Sequence, residues 1–222
     1  MAAVEKLPDS GMAGRPAVPE ELERLYYRLL WLAMRLYVKV LPAGIKMPTP
    51  ERFLLERLIF RELFLDPNVR ALMFVGVAGY TSWYPTFFRA RPGFRFATID
   101  PDPKVEPHGS PGDHRVARFE TLIDAGEEHG RFDVVFSNVF GQGIDTESEQ
   151  RTALDAAHAL LRSGGRLLIA YTTTNGRPDI DLDVIDRAKF RRVEVPGLGG
   201  RSHTVEWNMT HTFVCFARRD SS

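Results

Sequence analysis

The chain has 222 residues, with 29 Lys and Arg residues balanced by 29 Asp and Glu residues, so its formal net charge at pH 7 is zero. This length fits one domain with an extension, and the balanced charge argues against a nucleic-acid partner, which needs a basic surface. The single cysteine, Cys215, excludes an internal disulfide and a cysteine-based metal cluster. The first residues lack the apolar stretch of a secretory signal, so we expect a cytoplasmic protein.

The N-terminal third of the chain is predicted to contain a disordered segment and two helices. Residues 1–18 are rich in Ala, Gly and Pro and are expected to be disordered. Helices are predicted over 19–41 and 49–65, because each begins with Pro in its first turn followed by an acidic residue. We therefore assign 19–68 to a helical extension and 69–222 to an α/β domain.

The first predicted helix carries an apolar stripe at helical spacing. Its members are Leu25, Leu29, Leu32, Leu36 and Val40. Basic residues interrupt the helix, which excludes a transmembrane span and predicts no integral membrane contact. The stripe fits a lid packed on the domain, a helix on a membrane surface, or a contact with a partner protein. It is also a candidate surface for a homodimer.

From residue 69 onward, strand and helix patterns alternate along the chain. Strands are predicted at 71–75, 94–99, 114–117, 132–137, 166–171, 190–195 and 212–218, and helices at 147–161 and 180–188. Alternation at this spacing is typical of a parallel sheet with helices on both faces. No helix separates the last two strands, which favours an antiparallel end. The predicted fold class is a doubly wound, mostly parallel α/β sheet with an antiparallel last strand.

The stretch from 71 to 100 has the order in which α/β folds hold a nucleoside. A strand ends at a small-residue turn, Gly76-Val77-Ala78-Gly79-Tyr80, and the second strand ends at Asp100. Such a turn lets the backbone approach a ligand, and such an acid accepts hydrogen bonds from ribose hydroxyls. The turn lacks the G-x-G-x-x-G spacing, which argues against an NAD dehydrogenase. Asp100 is followed by Pro101 and Pro103, so it could also be an ordinary turn residue.

Further motifs follow in a fixed order. Phe132-Asp133-Val134-Val135 opens the fourth strand, and Leu160-Leu161-Arg162-Ser163-Gly164-Gly165 precedes the fifth. These two motifs, the turn at Gly76 and Asp100 occur in a characteristic order and spacing. In this respect residues 69–218 resemble the class I S-adenosylmethionine (SAM)-dependent methyltransferases. The resemblance implies a Rossmann-like domain, an antiparallel last strand and SAM as cofactor.

The resemblance also implies roles for individual residues. Gly76 and Ala78 would let the backbone pass close to the methionyl part of SAM, and Asp100 would bind the ribose. Phe119 would lie near adenine, although a core role fits it equally well. Asn138, just past the fourth strand, would lie at the reacting centre and touch the cofactor.

One residue departs from the family pattern. The family carries an acid two positions before the first glycine, where it anchors the ammonium group of the cofactor, and this chain has Phe74 there. Either SAM is held differently, through Tyr80, Thr81 or Ser82, or the chain has kept the fold without SAM.

Candidates for chemistry lie near the carboxyl ends of the predicted strands. Methyl transfer needs alignment above all, and it needs a base only where the acceptor carries a proton. The candidates are Asn138, His114 and Tyr171. Each also has a purely structural interpretation: Asn138 could be a helix cap or a turn residue, His114 could belong to a turn beside Asp113, and Tyr171 could simply end a strand. His203 and Glu206 have no further ligands nearby, so no metal site is predicted.

These observations predict a SAM-dependent methyltransferase that acts on a small molecule, by O- or N-methylation. A second hypothesis, based on Phe74, is that the protein has the methyltransferase fold but catalyses a cyclisation or rearrangement instead of methyl transfer. A third is a protein-interaction module that docks through the N-terminal helix.

Overall fold

The computed structural model describes part of the chain. The described residues are 5–6, 66, 68–76, 93–104, 113–124, 126–137, 144, 146–175, 177–178, 180, 182, 185, 189–194, 202–206 and 209–220, and the helical residues 22, 25, 29, 32, 33 and 36. The predicted helix over 49–65 lies outside them, and the domain boundaries stay a prediction. Within the described part, no helix combines the length and hydrophobicity needed to span a bilayer.

One mixed sheet organises the described residues. Its strands are β1 (Glu5–Lys6), β2 (Ala71–Val75), β3 (Arg95–Asp100), β4 (His114–Val116), β5 (Phe132–Ser137), β6 (Leu161–Thr174), β7 (Arg177–Pro178), β8 (Phe190–Glu194), β9 (Ser202–Glu206) and β10 (Met209–Arg218). Their order is β1-β8-β10-β6-β5-β2-β3-β4, with β7 paired to β6 and β9 paired to β10. The pairs from β4 to β6 are parallel, whereas β10 runs antiparallel to β6 and β8. The predicted fold class is confirmed.

The helix α1 (Glu147–Leu160) covers one face of this sheet. Thr146 caps its start: the hydroxyl accepts the backbone N–H of Glu149, and the Glu149 carboxylate accepts the backbone N–H of Thr146. The buried side of α1 carries small and apolar residues such as Ala153 and Leu160.

Two short 3₁₀ helices, η1 (Phe119–Asp124) and η2 (Gly126–Glu128), follow β4.

Two apolar clusters lie on opposite faces of the sheet, as the alternation of side chains along a strand requires. Met73 and Val75 of β2 join the first cluster, which includes the buried side of α1. Leu72 and Phe74 join the second, together with Phe136 of β5. Strands that bury both faces read as continuous apolar runs, which is why β2 and β5 were predictable from the sequence.

Several parts of the sheet differ from the sequence prediction. Strand β6 extends beyond the predicted 166–171 at both ends: it begins at Leu161, which pairs with Phe132 of β5, and it ends at Thr174, which pairs with Met209 of β10. The predicted loop before the last strand contains β9, which forms a hairpin with β10. Glu5 and Lys6, which fall within the segment predicted to be disordered, form a two-residue edge strand on β8.

A buried carboxylate fixes the start of β2 on β5. Asp133 is 6% exposed, and its Oδ2 accepts the backbone N–H groups of Arg70 at 2.6 Å and Ala71 at 2.8 Å. Arg162 forms an ion pair with its other oxygen. The pairing of β2 with β5 begins at Leu72. Asp133 therefore accepts the backbone N–H groups of the two residues that precede this pairing.

We expect Asp133→Ala to lower the free energy of unfolding by about 2–3 kcal/mol, because it leaves two backbone donors unpaired. Urea unfolding followed by circular dichroism measures the change. The matched control is Asp155→Ala, which removes only the exposed ion pair with Lys189 and should cost below about 1 kcal/mol. Equal losses for the two variants would contradict this role of Asp133.

Candidate functional site

The order of the strands reverses between β2 and β5. From β2 the chain moves outward to β3 and β4 on one side, and then returns to place β5 on the other side of β2. In open α/β sheets, the crevice outside the carboxyl ends of the strands at such a reversal is where ligands bind. The carboxyl ends of β2 and β3 are the places where the sequence puts Gly76 and Asp100.

A cavity of ≈ 280 Å³ lies at these strand ends. Among the described residues, its apolar walls are Val75, Ile99, Ala117, Phe119 and Ile144, its polar side chains are Asp100, Arg118 and Glu120, and Gly76 and Pro101 also line it. A mainly apolar cleft with a few polar groups is typical of small-molecule sites, and this volume lies just below their usual range. The cavity is large enough for part of a cofactor such as a nucleoside.

Gly76 ends β2 in a conformation that favours glycine. Its φ is +78°, in the left-handed region, and its N–H donates to the carbonyl oxygen of Ile99 at 3.0 Å. A glycine here leaves backbone rather than side chain at the cavity wall. Ala78, Tyr80 and Thr81, the other predicted cofactor contacts of this turn, lie outside the described residues.

Asp100 lies at the carboxyl end of β3 and is 7% exposed. Its Oδ1 accepts the backbone N–H of Asp102 at 2.9 Å, and its carbonyl oxygen accepts the N–H of Ala117 at 3.2 Å. The hydrogen bond to Asp102 is the one expected of a turn residue, which was the structural alternative for Asp100 in the sequence. Because Asp100 also borders the cavity, the turn positions a carboxylate where a ligand would meet it.

Phe119 and its neighbours form the side of the cavity beyond β4. Phe119 is 4% exposed and belongs both to the first apolar cluster and to the cavity wall, so the two predicted roles are compatible. Arg118 forms ion pairs with Glu120 and, at 3.2 Å, with Glu149 at the start of α1. The hydrogen bond to Glu120 raises the pKa of Arg118, and hydrogen bonds from Thr146 lower the pKa of Glu149.

Ile144 is a cavity residue that sequence reasoning missed. It is 4% exposed and lies two residues before the cap of α1. A lone apolar residue just before a helix cap often packs against the body of the domain, and this was the available signal.

Two of the three catalytic candidates, His114 and Tyr171, are not among the described residues that line the cavity. His114 Nδ1 lies 2.8 Å from the hydroxyl oxygen of Thr98, its register partner on β3, and His114 does not line the cavity. Tyr171 lies on β6 opposite Thr212 and packs, partly buried, against the first apolar cluster. Asn138 lies outside the described residues, so its two roles stay predictions.

Phe74, at the position of the family's acid, is fully buried among aromatic rings. Its ring meets Phe136 edge-on, with centroids 4.8 Å apart, and Phe136 stacks on Phe213 at 6.1 Å. These rings belong to the second apolar cluster. A carboxylate at this position would lose its hydration without gaining a partner from these neighbours.

Among the described residues, no three or more His, Cys, Asp or Glu side chains are grouped to hold a metal ion.

No protein-family model and no curated protein sequence matches the chain. Solved structures do match. The N-methyltransferase NodS from Bradyrhizobium japonicum WM9, in complex with S-adenosylhomocysteine (SAH), has a TM-score of 0.55 and 15% identity, over 74% of this chain and 87% of that chain. The 1,6-didemethyltoxoflavin-N1-methyltransferase from Burkholderia thailandensis, also with SAH bound, has a TM-score of 0.55 and 16% identity, over 98% of this chain and 100% of that chain.

A TehB-like SAM-dependent methyltransferase from Corynebacterium glutamicum ATCC 13032 matches with a TM-score of 0.51 and 15% identity, over 90% of this chain and 100% of that chain. At such identities, these likenesses establish the fold, and they agree with the strand order and the antiparallel β10 described above. The chain therefore has the fold of the class I SAM-dependent methyltransferases.

Proposed function

We propose that the protein is a SAM-dependent methyltransferase that transfers a methyl group to an oxygen or nitrogen of a small molecule, in the cytoplasm. The observation that carries this proposal is the position of Asp100. It is a buried carboxylate at the carboxyl end of β3, and it borders a largely apolar cavity beside the left-handed Gly76.

The residues of the cavity fit the nucleoside end of SAM. Asp100 would accept hydrogen bonds from the ribose hydroxyls, and the apolar walls that include Ile99, Phe119 and Ile144 would take the adenine ring. The backbone at Gly76 would leave space for the methionyl part of SAM, whose sulfur is attached to the ribose. SAM itself supplies the activated methyl group. The protein aligns the acceptor and excludes water.

A small-molecule acceptor is supported by two observations. The balanced charge of 29 basic and 29 acidic residues lacks the surplus that a nucleic-acid substrate calls for. Two structural neighbours at TM-score 0.55 are N-methyltransferases, and the acceptor of one is the small heterocycle 1,6-didemethyltoxoflavin. Nitrogen is therefore the first acceptor atom to test.

Titration calorimetry with SAH tests the cofactor, and transfer of labelled methyl from SAM to a panel of small amines, heterocycles and phenols tests the reaction. We expect SAH to bind with a Kd between about 1 μM and 1 mM, the usual range of KM values, and NAD to give no heat. Absence of SAH binding would refute the proposal.

The burial of Phe74 favours a second candidate, a methyltransferase-fold protein without methyl transfer, such as a cyclase or rearrangement enzyme or a protein-interaction module. The aromatic packing around Phe74 offers no carboxylate to the ammonium group of SAM. SAH binding without methyl transfer to any member of the panel would favour this candidate.

A further inference from the structure

The hairpin of β9 and β10 brings three residues of metal-ligating type into neighbouring positions. His203 of β9 and His211 of β10 are register partners. Glu206, the last residue of β9, pairs with Met209, the first residue of β10. In the sequence, His203 and Glu206 had no further ligand nearby, and the pairing of the hairpin supplies His211. For these residues the structure describes the backbone and not the side chains, so their faces follow from the register.

A β-bulge determines the face on which Glu206 lies. On a regular strand, residues three positions apart lie on opposite faces, which would separate Glu206 from His203. The register of the hairpin shifts next to Met209, where β9 contains one extra residue. Strand β10 pairs with β6 without a shift from Met209 to His211, so these two residues share a face. Their partners Glu206 and His203 therefore share that same face.

The two faces of the hairpin differ in residue type. One face, which we call the histidine face, contains His203, Glu206 and His211. The paired positions of the other face are all occupied by hydroxyl residues, namely Ser202, Thr204, Thr210 and Thr212. Bulges occur next to functional sites, where they redirect a side chain to the other face of a strand. The bulge and the separation of residue types together indicate that the histidine face binds a ligand.

We propose that His203, His211 and Glu206 bind a zinc ion. Two imidazoles and one carboxylate are a known zinc ligand set, which leaves the fourth tetrahedral position for water or another ligand. The Cβ atoms of directly opposite residues are about 5 Å apart, which allows two imidazoles to reach one ion. Imidazole ligands favour zinc over magnesium and calcium, which take oxygen ligands. The ion links β9 to β10, its only partner among the described strands.

The zinc site lies on the side of the sheet that faces away from the cavity. Phe213, two residues after His211 on β10, belongs to the second apolar cluster, so the histidine face lies on that side. Cavity residues such as Ile99 and Phe119 belong to the first cluster, on the opposite side. The inference therefore does not depend on the proposed function, and zinc binding is expected whether or not SAM binds.

Calorimetric titration of the full chain with zinc chloride, after a chelator has removed any bound metal, tests the site. We expect one zinc ion per chain, and no binding of magnesium chloride. His203→Gln, His211→Gln and Glu206→Gln should each weaken zinc binding at least about 100-fold, because loss of a group that only orients a ligand already costs about 10- to 100-fold. The matched control is His129→Gln, which changes an exposed histidine outside the hairpin and should leave the affinity unchanged.

A second variant tests the face. The double variant His203→Gln/Thr204→His moves one imidazole by a single position, to the hydroxyl face, and should not restore zinc binding. The thiol of Cys215 does not compete for the ion. It is 2% exposed, and burial raises its pKa to about 11, so the thiolate that would bind zinc is not formed at neutral pH.

Thermal unfolding shows that the variants fold and gives an independent measure of binding. Zinc should raise the unfolding midpoint of the unchanged protein and of His129→Gln, but not that of His211→Gln, because the ion stabilises only a chain that binds it. Equal zinc affinities of the unchanged protein and the two histidine variants would overturn the site. Full affinity in Glu206→Gln would overturn the role of the carboxylate, and binding restored by Thr204→His would overturn the assignment of the face.

Discussion

Replacing Asp100 by alanine is expected to weaken SAH binding at least about 100-fold. Each hydrogen bond from a ribose hydroxyl to a carboxylate contributes about 1.5–3 kcal/mol, and two such bonds are lost together. A loss of about 3 kcal/mol or more corresponds to a change in Kd of more than 100-fold. Titration calorimetry at constant pH and salt measures the two dissociation constants.

The design separates the ligand role of Asp100 from its turn role. The Asp100→Asn variant keeps an oxygen for the backbone N–H of Asp102 but loses the charge, so we expect it to fold normally and to bind SAH more weakly. The control is Asp102→Asn, which changes a neighbouring, exposed carboxylate and should leave the affinity within about twofold. SAH affinity that is unchanged in Asp100→Ala would show that the ribose is held elsewhere.

The sequence predicted the parts of the fold in which local pattern and burial agree. Strand β5 has the predicted bounds, Phe132–Ser137, because it is buried along its whole length and polar residues bound it. Strand β6 continues past its prediction because its pairing with β10 joins residues about forty positions apart. Strand β9 is likewise defined by its hairpin with β10. No periodicity within one segment reveals such pairing.

The same distinction applies to the site. Asp100 and Phe119 could be predicted, because Asp100 ends β3, Phe119 comes three residues after β4, and the carboxyl ends of parallel strands meet at one edge of the sheet. Ile144 lies two residues before the cap of α1, and that local signal alone does not place it at the cavity. His114 begins β4 instead of following it, and there it contacts Thr98, its register partner on β3.

The second large effect is expected at Phe74. Phe74→Ala should lower the free energy of unfolding by about 3–5 kcal/mol, because it removes a fully buried ring from its contacts with Phe136 and leaves a cavity. Chemical unfolding followed by fluorescence measures the loss. Phe94→Ala is the control, since its ring is only partly buried against the same cluster, and it should cost clearly less. Similar losses would contradict the central place of Phe74.

Phe74→Glu decides between the two accounts of the missing acid. If the methionine end of SAM still needed a carboxylate here, this variant would bind SAH more tightly than the unchanged protein. The structure predicts the opposite, because a charge among Phe74's neighbours would be buried without a partner, and we expect a variant that fails to fold at 25 °C. Phe74→Leu, which keeps the site apolar, should fold and retain SAH binding. In that case the aromatic cluster has replaced the acid as a structural element, and the methionine end is held by other residues.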